Sequence, residues 1–158
     1  MSTDDNIFVA ADRSLEDFGR WLGETLELEA VRDADLEDGV LRFRASARTV
    51  EGELYLTVEP NVYGEVDPAP EDVSAIDRYQ CLIDVYYAGP KDEELQEREA
   101  RLVFDDLARR QPEVAMILSH NMALMTAAYL PGAGVHTFPR GTTLDVDDIE
   151  LWRPWVVA

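Results

Sequence analysis

Residues able to do covalent or metal chemistry are few in this chain, and their spacing argues against most of it. One cysteine, Cys81, and two histidines, His120 and His136, are the raw material of a thiol–imidazole nucleophile. Cys81, however, opens the apolar run Cys81-Leu82-Ile83-Asp84-Val85-Tyr86-Tyr87, where a cysteine acts as a small buried hydrophobe. Ser119-His120 lacks the Gly-x-Ser-x-Gly turn that exposes a nucleophilic serine, and it falls where a turn is expected. The two histidines stand sixteen residues apart, without the local spacing of a zinc site. Asp145, Asp147 and Asp148 resemble an acidic calcium loop, but the sixth place is not glycine and the twelfth is not glutamate. Gly132-x-Gly134 has no third glycine and no helix behind it to receive a phosphate. Carboxylates that could pair for acid–base work occur in such number that no pair stands out. The expectation is a chain with no catalytic residue, no metal ligand and no cofactor.

The abundance of carboxylates is itself the main signal. Of 158 residues 33 are acidic and 14 basic, a formal net charge of −19. Such a surface repels phosphate, which excludes charge-driven binding to nucleic acid or to an anionic membrane. No apolar run approaches the roughly 18 residues of a membrane span. The acidic start, Met1-Ser2-Thr3-Asp4-Asp5-Asn6, lacks the plan of a secretory signal. With one cysteine no internal disulfide forms, so a reducing cytoplasm is the expected location. Plain solubility, adaptation to a salty cytoplasm and steering of a basic partner all fit the charge. One lysine, Lys91, against thirteen arginines does not separate them.

The length suits a single domain over residues 1–158. Ile7 to Ala11 reads as a short strand. Ser14 caps a helix over about 15–27, whose Leu15, Phe18, Trp21, Leu22 and Leu26 share one stripe. A buried Trp21 on that stripe would make its truncation cost about 3–5 kcal/mol. Strands follow at 40–45, after the Asp38-Gly39 turn, and at 53–58, where polar and apolar residues alternate. Cys81 to Tyr87 is apolar enough for a central strand. The second helix, 92–110, opens on Asp92, Glu93 and Glu94, closes on Arg109 and Arg110, and ends at Pro112. Leu95, Leu102, Val103 and Leu107 make its buried face. Glu94–Arg98 and Glu97–Arg101 are placed for ion pairs along it. Segments 114–118 and 123–129 meet through His120-Asn121, Val135 to Phe138 follows a glycine-rich bend, and Trp152, Trp155, Val156 and Val157 close the core. The fold class is α+β, with a mainly antiparallel sheet of about six strands and two helices packed on one face.

Between 59 and 77 lies a long irregular stretch, rich in acids and proline, of a kind often functional in a compact domain. It offers a docking surface for a basic protein. Glu59, Glu65, Asp67, Glu71 and Asp72 would supply charge, with Tyr63 and Tyr79 as aromatic anchors. A standard patch of about 800 Å² on so acidic a protein carries roughly three carboxylates by chance, so only clustering is informative.

Several segments resemble bacterial immunity proteins paired with polymorphic toxins of the swarming-inhibition type. They are Leu82-Ile83-Asp84-Val85-Tyr86, Ala100 to Leu107, the hairpin around Asn121, and Leu151-Trp152-Arg153-Pro154. The resemblance covers the last half of the chain and implies a non-catalytic inhibitor that neutralises a cognate toxin, as a monomer or a small homo-oligomer. The long loop before Tyr79 and the 131–141 segment depart from it. Two other functions fit the residues: a chaperone for a secreted effector, dimeric with an exposed apolar groove, or a small enzyme built on a carboxylate pair.

Overall fold

The computed structural model describes residues 4–32 and 39–158. Met1, Ser2 and Thr3 of the acidic start, and Asp38 of the Asp38-Gly39 turn, lie outside the described residues. Eight strands form one sheet, antiparallel at every pairing: β1 (Asp5–Val9), β2 (Glu29–Val31), β3 (Leu41–Ser46), β4 (Glu53–Pro60), β5 (Cys81–Tyr87), β6 (Met116–His120), β7 (Leu124–Leu130) and β8 (Gly134–Thr137). Their order is β2-β3-β4-β5-β1-β6-β7-β8. The expectation of about six strands is corrected to eight. β2, only Glu29-Ala30-Val31, carries no alternation to betray it; backbone pairing to β3 makes it a strand.

The first strand of the chain thus lies at the centre, between β5 and β6. Alternation assigns its side chains to two cores. Ile7 and Val9 join Leu54, Leu56, Val58, Ile83, Val85, Met116 and Leu118 on one face. Over that face pack α1 (Leu15–Leu26) and α2 (Glu93–Arg110), contributing Phe18, Leu22, Ala100, Val103, Phe104 and Leu107. Gly19 of α1 sits so close to β3 that a Cβ there would meet the Leu41 side chain at 2.5 Å. Phe8, Leu82, Ile117, Met125 and Ala128 line the opposite face, beneath Ala75, Ile76, Tyr79, Phe138, Leu144, Trp152 and Val156. A third helix, α3 (Ile149–Trp152), belongs to this second layer, so among the described residues the α-helices number three and occupy both faces.

Local chemistry explains the helix limits. Ser14 accepts from the Asp17 amide at 3.1 Å and Asp92 from the Leu95 amide at 3.1 Å, each relieving an orphan donor of the first turn. Glu27, at φ 54°, ends α1. The buried face of α2 differs from expectation. Leu102 is half-buried, while Gln96 and Glu99 are buried. Arg101 pairs with Asp105 at 3.0 Å, Arg98 donates to the Thr49 hydroxyl, and Glu97 turns toward His120. Trp21 is half-buried and stacks on Phe18 at 5.2 Å rather than entering the core whole.

Candidate functional site

The stretch between β4 and β5 is irregular but not loose. Two side chains staple it. Asn61 donates to the carbonyls of Ile76 (3.1 Å) and Tyr79 (2.7 Å) and accepts from the Tyr63 amide (3.0 Å). Asp77 accepts from the amides of Glu65 (3.1 Å) and Ser74 (2.8 Å), one per carboxylate oxygen. Gly64 passes so near Asp77 Cα and the Ile76 carbonyl, 3.2 Å from a would-be Cβ, that a side chain there would press on backbone. A single 3-10 turn, Pro70–Asp72, and the bridge between Ser74 and Asp145 fasten the far end.

The staples present a particular surface. Val62, Tyr63 and Val66 are 75%, 56% and 93% exposed. On the same segment Glu65, Asp67, Glu71 and Asp72 are all exposed. Isolated surface valines need no explanation, but three exposed apolar groups within five positions of a stapled, acid-rich loop offer more apolar surface than such a valine does. Beside it lie two adjoining cavities of about 360 and 380 Å³ that share Asp67, Asp77 and Arg78; the second is floored by Val73, Trp152 and Val156 of the tail.

Five of the seven proposed docking residues, Tyr63, Glu65, Asp67, Glu71 and Asp72, therefore stand on one exposed loop. The other two do not. Tyr79 is 2% exposed; its hydroxyl accepts from the Val157 amide at 3.1 Å and ties the tail to the second core. Burial pushes its phenol up to about 12. Glu59 belongs to β4, which runs to Pro60, and is half-buried beside Asp84. Sequence reasoning passed over Val62 and Val66; two valines in an acidic, proline-rich stretch were the signal for them.

Two polar clusters complete the picture. On the second face Asn6, fully buried, donates to Asp84 at 2.7 Å and accepts from the Ser119 hydroxyl and the Met122 amide. Burial pushes the Asp84 carboxyl up to about 6; the Asn6 bond opposes the rise, and the nearby charges of Asp4 and Glu59 add to it. At the edge of the helical layer His120 touches three carboxylates drawn from β1 and α2. Nδ1 lies 3.0 Å from Asp5, and Nε2 lies 3.0 Å from Glu93 and 3.3 Å from Glu97. Burial alone would lower the His120 pKa, but the Asp5 and Glu93 hydrogen bonds and the charges of Asp5 and Glu97 outweigh it, and the net direction is up. Asp5 is raised by burial against the bonds from Gln96 and His120.

The remaining chemical candidates are each engaged by neighbours within the fold. Cys81 is buried, donates to the Ala11 carbonyl at 3.4 Å, and has its thiol pushed up to about 11 by burial, the wrong direction for a nucleophile. His136 stacks on Trp155 with ring centroids 4.2 Å apart. Asp148 accepts from the Thr143 amide and hydroxyl, holding together the turn read above against a calcium loop. Among the described residues no helix is long and apolar enough to cross a membrane. Compared with protein-family models, curated proteins and solved structures, the chain finds no match.

Proposed function

We propose that this chain is a non-catalytic binding protein that captures a basic protein through the loop carrying Tyr63, Glu65, Asp67, Glu71 and Asp72. One observation carries the reading: hydrogen-bond staples at Asn61 and Asp77 hold a segment that exposes Val62, Tyr63 and Val66 together with Glu65, Asp67, Glu71 and Asp72. A loop already ordered before contact spends less conformational entropy on binding. Its apolar groups supply affinity after desolvation, and its acids supply steering and rejection of acidic partners. In its narrower form the reading is a cytoplasmic immunity protein, monomeric or a small homo-oligomer, that covers the cationic active site of a toxin.

The test is charge reversal. Glu65→Lys, Asp67→Lys and Glu71→Lys together leave the melting temperature nearly unchanged, because all three side chains face solvent. The same triple variant loses the basic protein that the wild type retains on affinity purification, and it no longer protects cells co-expressing that protein if the partner is a toxin. Equal retention by wild type and variant would remove the loop from the interaction. A dimer in light scattering, joined through an apolar groove, would favour the effector-chaperone alternative.

A second reading has its own support. Asp84, with a raised pKa and Glu59 within hydrogen-bonding reach, is a carboxylate pair of the kind a small hydrolase uses as acid and base. Against it, the cavities of about 360 and 380 Å³ are lined by other residues. Turnover of a metabolite, abolished by Asp84→Asn, would establish this reading in place of the first.

A further inference from the structure

We propose that Glu93, Glu97 and His120 form a binding site for one divalent transition-metal ion of the zinc–manganese class, with Asp5 as the residue that orients the imidazole. The inference does not depend on the loop reading, since the site lies at the start of α2 and the ends of β1 and β6.

The orientation of the ring is fixed from behind. Gln96 accepts from the Tyr87 amide through its carbonyl oxygen at 2.7 Å, so its amide nitrogen must donate, to the Val85 carbonyl at 2.7 Å and to Asp5 Oδ2 at 2.9 Å. Asp5, 1% exposed, is left with Oδ1 to accept the Nδ1 proton of His120 at 3.0 Å. This carboxylate–imidazole arrangement sets the tautomer that metal-binding histidines use, with the Nε2 lone pair directed outward. Asn121 agrees with that tautomer: its Oδ1 accepts from the Asp4 amide at 3.2 Å and its nitrogen donates weakly toward Nε2 at 3.3 Å, a contact that a bound ion would replace.

The lone pair of a ring only 6% exposed therefore faces two carboxylates, Glu93 Oε1 at 3.0 Å and Glu97 Oε1 at 3.3 Å. Lone pair against anion is repulsive unless a cation lies between them. A proton on Nε2 satisfies one contact and leaves three carboxylates around a single imidazolium. A divalent ion takes all three ligand atoms and neutralises two charges. These atoms lie within 4.8 Å of one another, against about 3.4 Å between ligands of a tetrahedral zinc. Closure asks only small movements of Glu93, which is exposed, and Glu97, which is half-buried. One nitrogen and two carboxylate oxygens suit zinc or manganese, whereas calcium wants six to eight oxygens and magnesium keeps its water. Positions not filled by protein remain open to water.

The full-length protein, stripped with a chelator, is titrated calorimetrically with zinc chloride and manganese chloride, and in parallel with calcium and magnesium chlorides. The expected result is one zinc per chain with a dissociation constant in the micromolar range or tighter. Glu93→Gln and Glu97→Gln should each weaken zinc at least tenfold, and zinc should shift the His120 Nε2 resonance in nitrogen NMR. Because both glutamates project from the surface turn of α2, these variants test the site without dismantling the buried Asp5–His120 pair. Several weak, millimolar events with no preference among the four metals would overturn the proposal, as would zinc affinity equal in wild type and the double glutamine variant.

Discussion

Asp84 shows how one carboxylate, buried in a sheet with other acids nearby, adds a pH-dependent contribution to stability. Its folded pKa of about 6 stands above the ordinary 3.8. The folded state therefore holds the proton more tightly than the unfolded chain. The contribution of Asp84 to stability is fully present below the ordinary value and is lost as pH rises through 6, by at most about 3 kcal/mol. Asp84→Asn keeps an oxygen to accept from Asn6 and removes the ionisation, so it should stabilise by about 1–3 kcal/mol at pH 8 and hardly at all at pH 4. Urea unfolding at both pH values checks this; equal gains would mean that Asp84 does not carry the proton. Tyr79 makes a second residue-scale case. Tyr79→Phe removes the acceptor of the Val157 amide and should cost about 1 kcal/mol in the same assay, with faster proteolysis after Trp152. That tyrosine illustrates the limit of reading composition: one aromatic beside an acidic stretch could face solvent or core, and only the packing of the tail decided for the core.

Among the elements, α2 was legible because its signals are local: an acidic start with Asp92 as cap, arginines at the close and Pro112 beyond. Its inner face was legible only in part: Leu95, Val103 and Leu107 are buried as expected, but the polar members were missed. Gln96 and Glu99 are buried because distant partners satisfy them, Gln96 in β1 and β5, and Glu99 at the turn after β3, where its carboxylate accepts from the Arg48 amide (2.6 Å) and the Thr49 amide (2.8 Å). No spacing rule announces such a partnership across some fifty positions. Glu99→Ala should cost about 2 kcal/mol by unpinning that turn, measured as a drop in melting temperature. Trp21→Ala should cost about 2 kcal/mol rather than the 3–5 expected of a fully buried ring, since half-burial leaves part of the indole in water in either state. The docking loop falls between these cases. Its acids and Tyr63 were visible in the sequence; the staples at Asn61 and Asp77, and hence its preorganisation, were not. The His120 cluster was invisible for the same reason: its partners arrive from β1 and α2.

For the molecule entire, a net charge of −19 makes salt act in two opposite directions. Mobile ions screen repulsion among surface carboxylates over a Debye length that shrinks from about 10 Å at 0.1 M toward 3 Å at 1 M. Relief of even about 1 kcal/mol would raise the melting temperature by about 2–4 °C for a chain of this size. The same screening should slow association with a cationic protein and weaken the complex at least tenfold between 0.05 and 0.5 M sodium chloride. Affinity that stays constant while the melting temperature climbs would mean the charge serves solubility and not recognition. The central position of β1 has a consequence for how such a chain is made. Its register partners stand about 80 and 115 positions further on, at Val85 and His120. Ile7, Phe8 and Val9 therefore leave the ribosome long before their strand partners exist, with α1 alone following closely behind. The nascent segment must wait about 80 positions for a partner on one edge and about 115 on the other, which marks the interval of synthesis in which this protein most needs a chaperone.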